Sequence, residues 1–256
     1  MIRSAVAIAC LAACAAAFAQ DAYDEKYLGA GARLRPAYDG ADGSRVDAIP
    51  YVRLYGEHFF ARTTQNMLEG GWRTRPFGGI VLGAQAAYEE GRFTGDSAFL
   101  EAHRFEDIDP SASVGLHAEG DWQLGPVPVN ALLRYRHDVN PDNGTQLDLR
   151  STVGVLDWRG IRAGLFGQVT WGDGKSTMRY YGIAPAQSAA SGLPAYQTGS
   201  GIRYVQAGML GDFYIARHWI GLWGLTWQRL QDDAAESPLT RDRSNWYANA
   251  GVAYRF

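Results

Sequence analysis

Past Asp24 the chain alternates apolar and polar residues with a period of two, the pattern of strands whose two faces meet different surroundings. Leu28, Ala30, Ala32 and Leu34 interleave with Gly29, Gly31, Arg33 and Arg35. Val129, Ala131, Leu133 and Tyr135 do the same against Asn130, Leu132, Arg134 and Arg136. Leu147, Leu149, Val153 and Val155 share a face, opposite Gln146, Asp148, Arg150 and Thr152. Ile161, Ala163, Leu165, Val169 and Trp171 repeat the arrangement against Arg162, Gly164, Gln168 and Thr170. No comparably long stretch carries a helical apolar stripe.

Candidate strands fall at 27–36, 45–56, 58–66, 68–75, 77–88, 111–124, 127–137, 145–156, 160–171, 176–182, 201–215, 218–230 and 244–256. Turn-forming clusters separate them, most clearly Asp39-Gly40 with Asp42-Gly43, Pro141-Asp142-Asn143-Gly144 and Gly172-Asp173-Gly174. Thirteen segments are one too many for an even-numbered barrel. The 68–75 segment is the weakest, so twelve strands are expected, with ten as the alternative. In 218–230 the face is ambiguous, because Trp219, Trp223 and Trp227 oppose Ile220 and Leu222. The longer connections, near 89–110, 183–200 and 231–243, are expected as extracellular loops or inward folds.

Two architectures reward this pattern. A secreted soluble β-protein buries the apolar face, whereas a transmembrane antiparallel up-and-down barrel turns it to lipid and keeps polar groups in a wet lumen. Strand length favours the barrel. Soluble strands average five or six residues, while a tilted bilayer-spanning strand needs roughly 9–11, and several segments here reach ten or more. Arginine on the minor face points the same way, since a dry core would desolvate it at large cost. The lumen charges expected are Arg33, Arg35, Arg134, Arg136, Arg150, Arg162, Glu119 and Asp148, with Asp47 as a further partner. Tyr27, Trp122, Trp171, Trp219 and Trp246, near strand ends, suit interfacial girdles.

Composition adds limits. The formal charge of −3 supplies no basic field for nucleic acid, and nearly all the positive charge is arginine, with lysine only at 26 and 175. Residues 1–19 have the form of a cleaved signal peptide: Arg3, an apolar run from Ala5, then Ala17-Phe18-Ala19. That leaves residues 20–256 as one outer-membrane barrel domain. Cys10 and Cys14 both lie in the leader, so the mature chain lacks cysteine; Leu11-Ala12-Ala13-Cys14 also has the form of a lipobox, which would keep and lipidate Cys14.

The final segment, WYANAGVAYRF, alternates Trp246, Ala248, Ala250, Val252, Tyr254 and Phe256 on one face. In the barrel reading it is the closing strand, paired with 27–36 so that no edge stays open. Phe256, Tyr254 and Val252 are then the expected signal to the barrel assembly machinery.

Several stretches resemble the family of outer-membrane proteins named for the MltA-interacting protein and OmpV. These are Tyr27-Leu-Gly-Ala-Gly-Ala-Arg-Leu-Arg-Pro36, Tyr38-Asp-Gly-Ala-Asp42, Ile49-Pro-Tyr51, Phe59-Phe-Ala-Arg62, Tyr180-Tyr-Gly-Ile-Ala-Pro-Ala-Gln187, Ala189-Ala-Ser-Gly-Leu-Pro-Ala-Tyr196 and Asp232-Asp-Ala-Ala-Glu-Ser-Pro238. The resemblance implies a non-enzymatic outer-membrane barrel without cofactor. It also implies a scaffold role between a lytic transglycosylase and a penicillin-binding murein synthase, with a porin-like passive channel for small polar solutes as the alternative.

Enzyme chemistry finds little support. His117 and Glu119 share a strand face with Ser113, a trio that a lumen hydrogen-bond network explains. Neither a Gly-x-Ser-x-Gly elbow nor a His-Glu-x-x-His metal spacing occurs. In 183–197, Pro185, Gln187, Gly192, Leu193, Pro194 and Tyr196 are expected to form an ordered loop, either a constriction or a docking site for a partner.

Overall fold

The structure is a computed structural model and describes residues 26–64 and 67–256. The expected leader and Cys14 lie outside the described residues. The strands are β1 (Tyr27–Pro36), β2 (Ser44–Tyr55), β3 (Phe59–Thr64), β4 (Met67–Phe77), β5 (Ile80–Glu89), β6 (Ser111–Leu124), β7 (Val127–Asp138), β8 (Thr145–Trp158), β9 (Ile161–Gly172), β10 (Gly201–Ala216), β11 (Trp219–Leu230) and β12 (Ser244–Arg255). Each pairs antiparallel with its neighbours in sequence, and β1 pairs with β12, so the sheet closes. The closing register sets Tyr27 against Arg255, Ala30 against Val252 and Leu34 against Ala248. The count is twelve; the ten-strand alternative is not supported.

Two segment assignments are corrected. The weakest candidate, 68–75, is the full strand β4. Its pattern is faint because Glu69 and Arg73 fill the inner face while Gly70 dilutes the outer one. The candidate at 176–182 is a helix, Gly174–Tyr181. Asp173 caps it, Oδ1 accepting from the Ser176 amide at 2.7 Å, and Thr177 and Tyr181, four residues apart, are buried on one side. The period-two pattern there is coincidental. A cap that satisfies the first amides selects helix over strand.

The pleat sorts the faces. Outward lie Leu28, Leu82, Leu116, Leu133, Leu149, Leu165, Val169, Met209, Leu225 and Val252, a continuous apolar band. Exposed aromatics flank it: Phe59, Phe77, Trp158, Trp219 and Phe256 toward the chain termini, and Tyr88, Trp171 and Trp246 toward the other end. The ambiguity in β11 is resolved, with Trp219 and Leu225 outside and Ile220, Gln228 and Leu230 buried inside. At the closure, Tyr51 lies flat over Gly31 and Gly251, which face each other, and its hydroxyl donates to Asn249 Oδ1 at 2.7 Å.

At the end near the termini the strands are joined by short turns at 56–58, 78–79, 125–126, 159–160 and 217–218. The longer connections, 37–43, 90–110, 139–144, 173–200 and 231–243, gather at the opposite end. Four of them form a cap built on short helices: α1 (Ala98–Ala102), α2 (Gly174–Tyr181), α3 (Pro185–Ser191) and α4 (Asp232–Glu236). The cap has its own apolar core of Ala37, Tyr38, Ala41, Leu100, Phe105, Ile183 and Leu239, with Phe99, Leu193 and Tyr196 packed against it.

A Cβ on Gly251 would lie 2.3 Å from the Tyr51 ring and 2.6 Å from the Ala30 carbonyl oxygen. Gly251→Val should therefore hinder closure of β1 on β12. The expected result is loss of the compact, fast-migrating band of unheated protein in gel electrophoresis.

Candidate functional site

The inner face of the barrel is a chain of ion pairs. It begins with strand neighbours that directly oppose one another in register: Arg33 with Asp47, Arg62 with Glu69, Arg134 with Asp148, Arg162 with Asp212. Arg33 Nη2 lies 3.1 Å from Asp47 and 2.7 Å from Glu90, and Arg35 Nε donates to the same Asp47. Arg62 donates to Glu69 at 2.6 Å, and Arg162 holds Asp212 through two nitrogens at 3.0 and 2.9 Å. A second set of bonds spans non-adjacent strands. Arg134 on β7 reaches Glu69 on β4 at 2.9 Å while holding Asp148 at 2.9 Å. Arg62 on β3 reaches Glu119 on β6 at 2.7 Å, and Arg136 on β7 joins Asp148 at 3.1 Å and Glu89 on β5.

These bridging bonds fill part of the lumen with buried charge. The side chains of Arg134, Glu69 and Asp148 have 0 % exposure. Their remaining oxygens are also engaged, Asp148 Oδ1 accepting from Thr170 Oγ1 at 2.8 Å and Glu119 from Asn130 Nδ2 at 3.0 Å. Satisfied on every side, a buried carboxylate between two guanidiniums avoids the penalty of an unpaired charge. Toward the chain termini the inner face carries apolar side chains as well, with Ile220, Val81, Phe60 and Leu132 all buried.

The charges expected from alternation all project inward. They do not form one site: Arg33 and Arg35 sit at the cap end, Arg134, Arg136, Glu119 and Asp148 belong to the central network, and Arg162 stands apart with Asp212. Arg150 joins no acid in this set; its guanidinium stacks 3.8 Å above the Phe166 ring. Sequence reasoning missed Arg62, Glu69 and Glu89 as network members. The parity of β3, β4 and β5 carried that signal once β4 was accepted as a strand. The trio of Ser113, His117 and Glu119 is dispersed among separate partners. Ser113 Oγ donates to Glu89 at 2.6 Å, His117 Nδ1 meets Gln85 Oε1 at 2.6 Å, and Glu119 binds Arg62.

The 183–197 segment contributes a helix and a short bridge to the cap. Ile183 and Tyr196 bridge as a short antiparallel pair, Pro185 opens α3, and Gly192 ends it in the left-handed region at φ 75°. Gln187 Nε2 donates to the Arg104 carbonyl at 3.1 Å, and Tyr196 Oη to the Asp233 carbonyl at 3.0 Å. Leu193 packs on the cap core, and Pro194 lies between it and Tyr196. The Tyr38 hydroxyl donates to the Leu239 carbonyl at 2.9 Å, tying the first loop to the last. Burial pushes the Tyr38 phenol up from 10 to about 12. Between cap and network lies a cavity of about 170 Å³. Arg33, Arg35 and Arg136 reach it with Glu89 and Glu90, and so do Arg92, Arg203 and five cap-side tyrosines.

Among family models, that for the MltA-interacting protein MipA matches residues 28–256. No curated protein matches the chain. Among solved structures, the chain is similar to an outer-membrane channel from Pseudomonas putida F1, at 8% identity and a TM-score of 0.46, covering 91% of this chain and 96% of that one. The NanC porin gives 9% identity and a TM-score of 0.40 over 90% and 100%. OmpT of Vibrio cholerae gives 8% and 0.38 over 90% and 97%.

Glu69→Gln leaves Arg62 and Arg134 buried without their shared counter-charge, which should destabilise the barrel by about 3–5 kcal/mol. A shift of the urea midpoint in unfolding followed by tryptophan fluorescence measures it. For the cap, the raised Tyr38 phenol contributes stability that is full below pH 10 and is lost as pH rises toward 12. Proteolysis of the cap loops should accelerate across that window, and Tyr38→Phe should flatten the dependence.

Proposed function

The chain belongs to the MltA-interacting protein MipA family, and from that premise we propose a non-enzymatic outer-membrane barrel that works as a scaffold for murein enzymes. The observation that carries this reading is the buried charge network. Ion pairs without exposed surface link β7 to β4 inside the barrel, and a cap with its own apolar core covers one mouth. Such a barrel is suited to offer position and surface more than a path for solutes.

The apolar band and its aromatic flanks fit a bilayer. A contiguous apolar surface of that extent is foreign to soluble monomers, and the two aromatic rims match the interfacial girdles of spanning barrels. The usual orientation of such barrels places short turns in the periplasm and long loops outside. The chain termini and the turns near 78–79, 125–126 and 159–160 then face murein, and the cap faces the exterior. The family's name ties it to MltA. We take the partners to be a lytic transglycosylase and a penicillin-binding murein synthase, meeting the barrel at its periplasmic rim.

Export through a cleaved leader at 1–19 and insertion by the barrel assembly machinery complete the proposal. Phe256, Tyr254 and Val252 lie on the outer face of the closing strand region. Tyr254 stacks with His218 and meets Trp219 and Phe256 edge-on, at 5.5, 5.3 and 5.5 Å between centroids. The arrangement presents an aromatic cluster at the last turn, where an assembly factor would read it.

Purified barrel in a planar lipid bilayer should stay at baseline, and deletion of 186–195 alone should not change that, because the Arg134 layer lies beneath. Discrete conductance steps in the wild type would favour the passive channel and overturn the scaffold reading. Immobilised barrel should retain lytic transglycosylase and penicillin-binding synthase from envelope extract, and failure to hold either enzyme refutes the partnership. Phe256→Asp should leave the chain in the periplasm without a heat-modifiable form.

A further inference from the structure

The cavity between cap and network holds two guanidiniums that the lumen network does not neutralise. Arg92, just beyond β5, is 7 % exposed, and Arg203 on β10 is 5 % exposed. Arg92 Nη1 donates to the Tyr180 carbonyl at 2.8 Å, and Arg203 Nη1 to Ser176 Oγ at 3.2 Å. Among the described residues neither is paired with a carboxylate, and the Nε of each lacks a hydrogen-bond partner. Of the acids in the same wall, Glu89 is held by Arg136 and Ser113 and Glu90 by Arg33, while Asp39 accepts from Tyr247 and acts on Arg203 without bonding to it.

Burying a guanidinium without a directly bonded carboxylate is expensive, and an anion bound in the cavity would offset that cost. The cavity wall states the shape of that anion. Arg203 lies 4.9, 5.6 and 5.9 Å from the ring centroids of Tyr180, Tyr181 and Tyr204, and Arg92 lies 5.9 Å from that of Tyr38. The Tyr181 hydroxyl is buried beside the Arg203 guanidinium. Flat aromatic walls, a buried hydroxyl and two guanidiniums without a bonded carboxylate surround the same space of about 170 Å³. A dry cavity of about 150 Å³ accommodates a benzene ring, so a single ring bearing one carboxylate fits the volume. Glu90, with its side chain 40 % exposed, marks where the cavity meets solvent.

We propose that this cavity is a binding site for a small ring-bearing carboxylate, its anionic group held by Arg92 and Arg203 and its ring set among the tyrosines. The site is independent of the murein reading. A scaffold with a closed lumen and one with a ligand beneath its cap use different parts of the same barrel.

The test is calorimetric titration of the full chain, refolded in detergent, with benzoate, its neutral isostere benzamide, and inorganic phosphate. Benzoate should bind, and benzamide and phosphate should each bind at least tenfold more weakly. Arg203→Met keeps the packed stem and removes the charge. It should weaken benzoate at least tenfold while the unfolding temperature of the ligand-free barrel stays the same or rises, an outcome that a merely structural arginine would not give. If that variant does not fold, Arg92→Met carries the same comparison. Absence of benzoate binding to the wild type, equal affinity for benzamide or phosphate, or unchanged benzoate affinity in the folded variant overturns the proposal.

Discussion

Everything in this molecule follows from the pairing of β1 with β12. An open twelve-strand sheet would leave two rows of unpaired amides and carbonyls, which neither lipid nor a partner-free surface tolerates. Joining Tyr27 to Arg255 and Leu34 to Ala248 removes both edges at once. Closure also creates an inside. From that moment every second side chain of every strand points into a space that eleven other strands share, and its charge must be balanced there.

The balance is reached in two stages. Hairpin register sets each arginine directly opposite an acid on the neighbouring strand, as with Arg62 and Glu69 or Arg134 and Asp148. Such pairs alone would line a channel. The lumen fills because guanidiniums also reach over: Arg134 to Glu69 and Arg62 to Glu119 each skip two strands. Arginine suits this duty better than lysine, since its planar fork can hold two carboxylates at fixed angles. The near absence of lysine in the chain then reads as a consequence of a charged interior that must be rigid.

The cap extends the same logic with different material. Its loops contribute an apolar core around Leu100, Ile183 and Leu239, so the mouth is covered by apolar burial where the centre is filled with charge. The two closures do not meet. The cavity between them holds Arg92 and Arg203, which among the described residues bond no carboxylate. An anion bound there, as proposed, would complete their surroundings.

The alternation of Leu28 to Arg35, or of Leu147 to Thr152, was sufficient to give strand identity, the inward set of arginines and the closing role of 246–256. Each depends only on the two-residue period of the pleat. The family words around 180–196 gave the class of protein. Local pattern failed at 68–75, where charges and glycine hide a strand, and at 176–182, where an Asp173 cap turns an alternating sequence into a helix. Beyond those, the sequence could not say which acid an arginine meets across the barrel, because Glu69 and Arg134 are 65 positions apart and come together only when the cylinder has closed. Nor could it separate Arg136, bonded to Glu89 and Asp148, from Arg203, which among the described residues bonds no carboxylate. That difference is made by curvature and strand stagger, which set the distance between opposite walls, and only the tertiary structure contains them.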